Sequence, residues 1–166
     1  LVDEAIGHRA GSVEGALAAD LRWGWVVHLD GRVAEAERAY AGMVRSEHPL
    51  RVLLGAALRA MALADLDRPI DAAEQLDVAR ALAADADAPW VGTQVALADA
   101  ALALCLARAG AGASDAVSAA YAAIADANAR IDGSFVLADV NDGIAFAAWI
   151  LERAIDRTVS PGDNLG

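Results

Sequence analysis

The stretch from His28 to Tyr40, "HLDGRVAEAERAY", decides how the chain is read. Before it, Trp25, Val26, Val27 and Leu29 make an apolar run that stops at Asp30-Gly31. An Ala- and Glu-rich segment then restarts at once, its apolar residues three and four apart. Glycine takes the left-handed backbone that commonly ends a helix, so Asp30-Gly31 predicts a break between two helices. A break this short forces the second helix antiparallel to the first.

Working outward, the same alternation of periodic segment and short punctuation fills the chain. Residues 1–8 read as the tail of an earlier helix, ended by Gly7 and Gly11. Ser12 then caps a helix to about His28, and the next runs over residues 32–46. Pro49 closes that helix, and Pro69 and Pro89 sit where a helix can begin, predicting helices over 50–66, 69–84 and 89–109. "GAGAS" and "DGS" set off two more, over 114–131 and 134–157, with Ser114 and Ser134 as caps. The tail 158–166, "TVSPGDNLG", has turn composition and is expected to be poorly ordered. The expectation is an all-α chain of about seven helices, paired as hairpins over 12–48, 50–86 and 89–131, with a terminal helix over 134–157.

Composition agrees. About a quarter of the 166 residues are alanine, the strongest helix former, whereas β-branched and aromatic residues are sparse. All 13 basic residues are arginine, and the formal net charge is −11. An acidic surface repels phosphate, so no direct nucleic-acid binding is expected. The one cysteine, Cys105 in "ALALCLARAG", excludes an internal disulfide and reads as a small buried residue. No stretch reaches the ~18 uninterrupted apolar residues of a membrane span. Residues 135–151 come nearest, but Asp139, Asn141 and Asp142 interrupt them. The start shows no charged segment followed by an apolar run and cleavage site, and a cytoplasmic location with no membrane partner is expected. The chain begins at Leu1, not Met, and is expected to be part of a larger protein.

From Leu17 to Pro49 the order is apolar helix, Gly24, Gly31 in the turn, Ala36, Tyr40 and a closing Pro49. Ala36 and Tyr40 share a helix face, so the small one makes room and the large one fills it. The outline repeats over 53–89 with Ala72, Leu76, Ala79 and Pro89, and over 90–133 with Gly112, Val117 and Tyr121. This pattern resembles the tetratricopeptide (TPR) repeat, a helix pair of about 34 residues. The resemblance implies a right-handed solenoid of stacked hairpins, with the last helix covering the final pair. Composition and weak repeats also look like the helical repeat regions of large multidomain bacterial transcriptional regulators, which would imply a regulatory or sensor role.

Chemical motifs are scarce. There is no lysine for a P-loop, and "GAGASD" joins two helices where a dinucleotide loop would follow a strand. "DVNDG" (Asp139 to Gly143) hints at a calcium loop, but its Gly comes one position early and Ile150 stands where a glutamate belongs. It reads as polar residues inside the last helix, with a kink at Gly143. His8, His28 and His48 are far apart and read as surface or hairpin-end residues. The pairs Asp65/Asp67 and Asp85/Asp87 read as loop solvation. No catalytic set, metal site or cofactor is expected, and the chain is not read as an enzyme.

The side chains that stand out are Trp23 and Trp25, which point about 200° apart on one helix. Either the helix is sandwiched between neighbours that cover both, or one of them lines a groove on the concave inner face, where Trp is a favoured anchor. Arg22, Arg59 and Arg108 lie near corresponding places on three first helices and would suit an acidic peptide or carboxylate terminus. The expected function is a module that binds a protein or peptide, including other domains of the same chain. Trp23, Arg22, Arg59 and Arg108 are its groove candidates. The other reading is a helical bundle holding a small apolar ligand between its helices.

Overall fold

Seven α-helices follow one another in a computed structural model that describes residues 13–86, 89–108, 110, 112–133 and 138–159. They are α1 (Val13–Leu29), α2 (Val33–Val44), α3 (Pro49–Asp65), α4 (Pro69–Ala84), α5 (Pro89–Arg108), α6 (Ala113–Gly133) and α7 (Ala138–Val159). No strand occurs among the described residues. The expected helix ends hold to within a few residues, and Thr158 and Val159, assigned above to the tail, still belong to α7. His8, Gly7, Gly11, Ser12, Asp87, Ser134 and residues 160–166 lie outside the described residues.

The Asp30-Gly31 break works as the sequence implies. Gly31 has φ +80°, its N–H donates to His28 O at 3.0 Å, and Arg32 N–H donates to Val27 O at 2.9 Å. These two bonds cover the last carbonyls of α1 and turn the chain into α2. The identical pair recurs 36 residues later. Asp67 (φ 54°) donates to Ala64 O at 3.2 Å and Arg68 to Leu63 O at 2.9 Å. Asp is among the few side chains that tolerate this backbone region.

Small residues set how closely the first two hairpins pack. A Cβ placed on Gly24 of α1 would lie 2.3 Å from Tyr40 Cε1 on α2. One on Gly55 of α3 would lie 2.6 Å from Met43 Cβ and 3.1 Å from the Tyr40 carbonyl oxygen. The helices approach to a distance that only glycine permits, and Tyr40 and Met43 are fully buried there. α2 buries Ala36, Tyr40 and Met43, and α4 buries Ala72, Leu76 and Ala79 at the same spacing. In α6 the buried set is Ala120, Ile124 and Ala127. The buried set of α6 therefore lies three residues later than Val117 and Tyr121, and Tyr121 is 55% exposed. In that register an alanine again leads, and Ile124 fills the space that Tyr40 and Leu76 fill earlier.

The even-numbered helices α2, α4 and α6 touch only their sequence neighbours, whereas α1, α3, α5 and α7 also pack on one another. α3 carries the unbroken buried run Ala60–Ala64, as a helix enclosed by several neighbours must. Among the described residues α5 is the one helix long and apolar enough to cross a membrane by length and composition (Trp90–Arg108, mean hydropathy 1.5). Here it lies between α3, α4, α6 and α7. Finally, α7 reaches back to touch α1 and α3, so the first and last described helices meet.

Candidate functional site

The two tryptophans of α1 divide between inside and outside. Trp25 is half-buried. Its ring sits 5.3 Å from that of Phe146 on α7, and Gly143 leaves room for its edge. A Cβ on Gly143 would lie 3.3 Å from Trp25 Cζ2, so the "DVNDG" glycine serves the α1–α7 contact, within an unbroken helix. Trp23 points away and is 55% exposed.

Val26 (54% exposed) and Leu29 (47%) follow Trp23 along the outer side of α1 at intervals of three. Facing Trp23, α2 offers Glu35, Arg38, Ala39 and Gly42, which share one stripe of the helix. Together they line an open depression of about 380 Å³. At its rim Arg32 lies 5.8 Å from the Trp23 ring centroid and is held by Asp30 at 2.9 Å and Glu35 at 2.8 Å. Gly42 is exposed, and a Cβ there would meet nothing within 4 Å. The site thus combines a bare stretch of helix backbone, an exposed indole and guanidinium groups.

The other groove candidates do not join Trp23. Arg59 pairs with Glu37 on α2 at 2.7 Å, which ties α3 to α2. Arg108, at the end of α5, donates to the Ala64 carbonyl and to Asp67 Oδ1, both at 2.8 Å. Arg22 is exposed on α1 next to Trp23 and is also engaged by a neighbouring group. Arg22 and Arg59 lie mid-helix whereas Arg108 is the last residue of α5, and Arg59 and Arg108 are both engaged in bonds between helices.

No protein-family model, curated protein or solved structure matches this chain.

Sequence reasoning missed a buried polar cluster beneath the same hairpin. His28 is 1% exposed, not a surface residue, because the last turn of α1 is covered by α2, α3 and α7. Its Nε2 lies 3.3 Å from Asp65 Oδ2 and its Nδ1 3.4 Å from the Tyr40 hydroxyl. Asp65 also accepts from Arg157 of α7. Asp65 is thus an internal acceptor, with its side chain 5% exposed, and not a solvating loop residue. Burial, reinforced by the Asp65 charge, pushes the Tyr40 hydroxyl far above the ordinary tyrosine value, so it stays protonated and can donate to His28 Nδ1. The imidazole then donates through Nε2 to Asp65, a tautomer assigned from this network. Tyr40 is fully buried, so no substrate reaches the cluster, which acts as a tie between α1, α2, α3 and α7. The signal for it was the 36-residue repeat itself, which sets Asp65 at the end of α3 where α1 ends at Leu29.

Cys105 is buried beside Arg108, and burial raises its thiol pKa against the opposing pull of that arginine. His48 is exposed at the start of α3, its N–H donating to Ser46 Oγ at 3.2 Å. No group of three or more His, Cys, Asp or Glu among the described residues is placed to hold a metal ion.

Proposed function

We propose that the chain is a protein- or peptide-binding module, built as TPR-like helical hairpins stacked in a right-handed solenoid, whose partner docks on the outer face of α1 and α2. What supports the architecture is the repeated turn at Gly31 and Asp67, the glycine beneath Tyr40, and the leading alanine of each buried set in α2, α4 and α6. The observation that carries the function is Trp23, a half-exposed indole continued by Val26 and Leu29 and opening onto the α2 depression. Exposed Trp ranks among the strongest interface anchors, and a contiguous exposed apolar strip marks a docking surface.

This reading moves the binding face from the inner side of the array to its outside. On the inner side, Trp25, His28 and Asp65 already bind α7 through Phe146 and Arg157. The test is selection of a random peptide display library on the purified protein, with the Trp23→Ala protein as counter-selection. Peptides that bind the parent and not Trp23→Ala, and that shift the Trp23 indole N–H resonance in ¹⁵N-labelled protein, support the reading. If every selected peptide binds both proteins equally, the outer face is not the binding site.

A further inference from the structure

Building on the interaction reading above, we propose that the α1–α2 face docks an amphipathic partner helix carrying two acidic side chains two turns apart, seated over Gly42 between Arg38 and Arg45. The charge pattern points there. Seven described arginines hold carboxylates of this chain: Arg32, Arg59, Arg68, Arg80, Arg108, Arg130 and Arg157. Arg153 lies 4.9 Å from the Trp149 ring centroid, and Arg22 and Arg51 are engaged as well. Arg38 and Arg45 are exposed and have no such partner among the described residues. In a chain of net charge −11 with abundant carboxylates, two uncommitted guanidiniums on one helix face stand out.

Their spacing defines the complement. Arg38 lies on α2 and Arg45 is the residue that closes it; seven positions apart, they fall on the same side about 10.5 Å apart along the axis. A partner helix laid alongside would meet them with acidic residues at the same interval. Between them Gly42 has no side chain and open space above it, so a partner backbone can come close. The apolar face of that helix would cover Trp23, Val26 and Leu29. The net negative charge of the whole molecule does not forbid this. At physiological salt charges beyond about 8 Å are screened, so the two adjacent guanidiniums dominate the local field. A second copy of this chain is a poorer occupant, since it would bring a further −11 to the contact.

The test uses the peptides selected as above, measured by fluorescence anisotropy against Arg38→Gln, Arg45→Gln, the double Arg38→Glu/Arg45→Glu and Gly42→Leu proteins. Acidic pairs seven residues apart should be enriched. Each neutralisation should weaken binding about two- to fivefold, the scale of an exposed ion pair, and the double reversal about tenfold or more. Gly42→Leu should block binding without lowering the melting temperature. Trp23-dependent peptides that lack acidic residues, or that ignore both arginines, overturn this proposal and leave the interaction reading intact. Recovery of no Trp23-dependent peptide overturns both. Sedimentation showing a dimer that Trp23→Ala dissociates would make a second copy the occupant and overturn the acidic-helix assignment.

Discussion

Adding one methyl group at each of three glycines in the first hairpins should give three different results. At Gly42 a Cβ meets nothing within 4 Å. Gly42→Ala should therefore return only the helix-propensity gain, about 0.5–1 kcal/mol of added stability. At Gly24 the new carbon would sit 2.3 Å from Tyr40 Cε1 and 3.1 Å from Cζ. Carbon atoms prefer about 3.5–4.0 Å, so the ring must move by roughly 1 Å or more. It has little freedom to do so, being fully buried with its hydroxyl at His28. Overpacking costs about 1–3 kcal/mol, and the propensity gain offsets about 1, so a net loss of roughly 0–2 kcal/mol is expected. At Gly55 the obstacles are Met43 Cβ at 2.6 Å and two α2 backbone atoms at 3.1 Å. A backbone yields less than a ring, so Gly55→Ala should fall at the top of that range or beyond. Urea unfolding followed by circular dichroism gives the order, provided the m-value stays constant. Per kcal/mol the melting temperature should move by about 2–4 °C. Should Gly24→Ala prove as stable as Gly42→Ala, α1 and α2 do not approach as described, and the reasoning from close packing fails.

Trp23→Ala should change stability by no more than about 0.5 kcal/mol, whereas Trp25→Ala, half-buried against Phe146, should cost about 2–3 kcal/mol; comparable losses by denaturation would remove the division between outside and inside. Asp65→Ala should cost roughly 3 kcal/mol because His28 and Arg157 lose a buried acceptor, and a double-mutant cycle with Arg157→Met should show coupling of about 1 kcal/mol or more; additive losses would mean that α7 is not tied to α3 there. The fold raises both the Cys105 and the Tyr40 pKa above their ordinary values of 9.0 and 10.0. The proton is held more tightly in the folded state, so this stabilisation is complete below the ordinary values and fades above them. Stability should fall as pH rises past 9, steepen past 10, and lose the second component in Tyr40→Phe; equal alkaline slopes for parent and Tyr40→Phe would contradict the buried hydroxyl.

What could be read from the sequence was whatever depends on neighbours along the chain. The breaks at Asp30-Gly31, Pro49, Pro69 and Pro89 act through backbone geometry, and a helix begins or ends beside each of them. The order Gly24, Gly31, Ala36, Tyr40 was legible along the chain, but the close approach of Tyr40 to Gly24 itself shows only in the packed hairpin. The third repeat was misread because alanine is nearly everywhere in α6, leaving its periodicity faint, and Tyr121 looked like a core aromatic. His28 and Asp65 were missed for a different reason. Each looks like an ordinary hairpin-end residue, and only α7, arriving from 92 positions beyond Asp65, turns them into an internal cluster. Arg59 and Arg108 likewise show their partners, Glu37 and Asp67, only once helices distant in sequence are stacked.

The character of the outer face also bears on how a partner can be held. Covering a half-exposed indole gains about 3 kcal/mol at roughly 25 cal/mol per Å², and Val26 and Leu29 add less. Association alone costs an estimated 4–15 kcal/mol in lost freedom. Apolar cover on this strip is therefore not enough to hold a free partner tightly, and the two arginines add only about 1 kcal/mol each. A partner in the same polypeptide would escape most of that cost, because a short linker supplies an effective concentration near millimolar. A free peptide docking here as proposed would therefore bind weakly and reversibly, which the anisotropy measurement must be set up to detect.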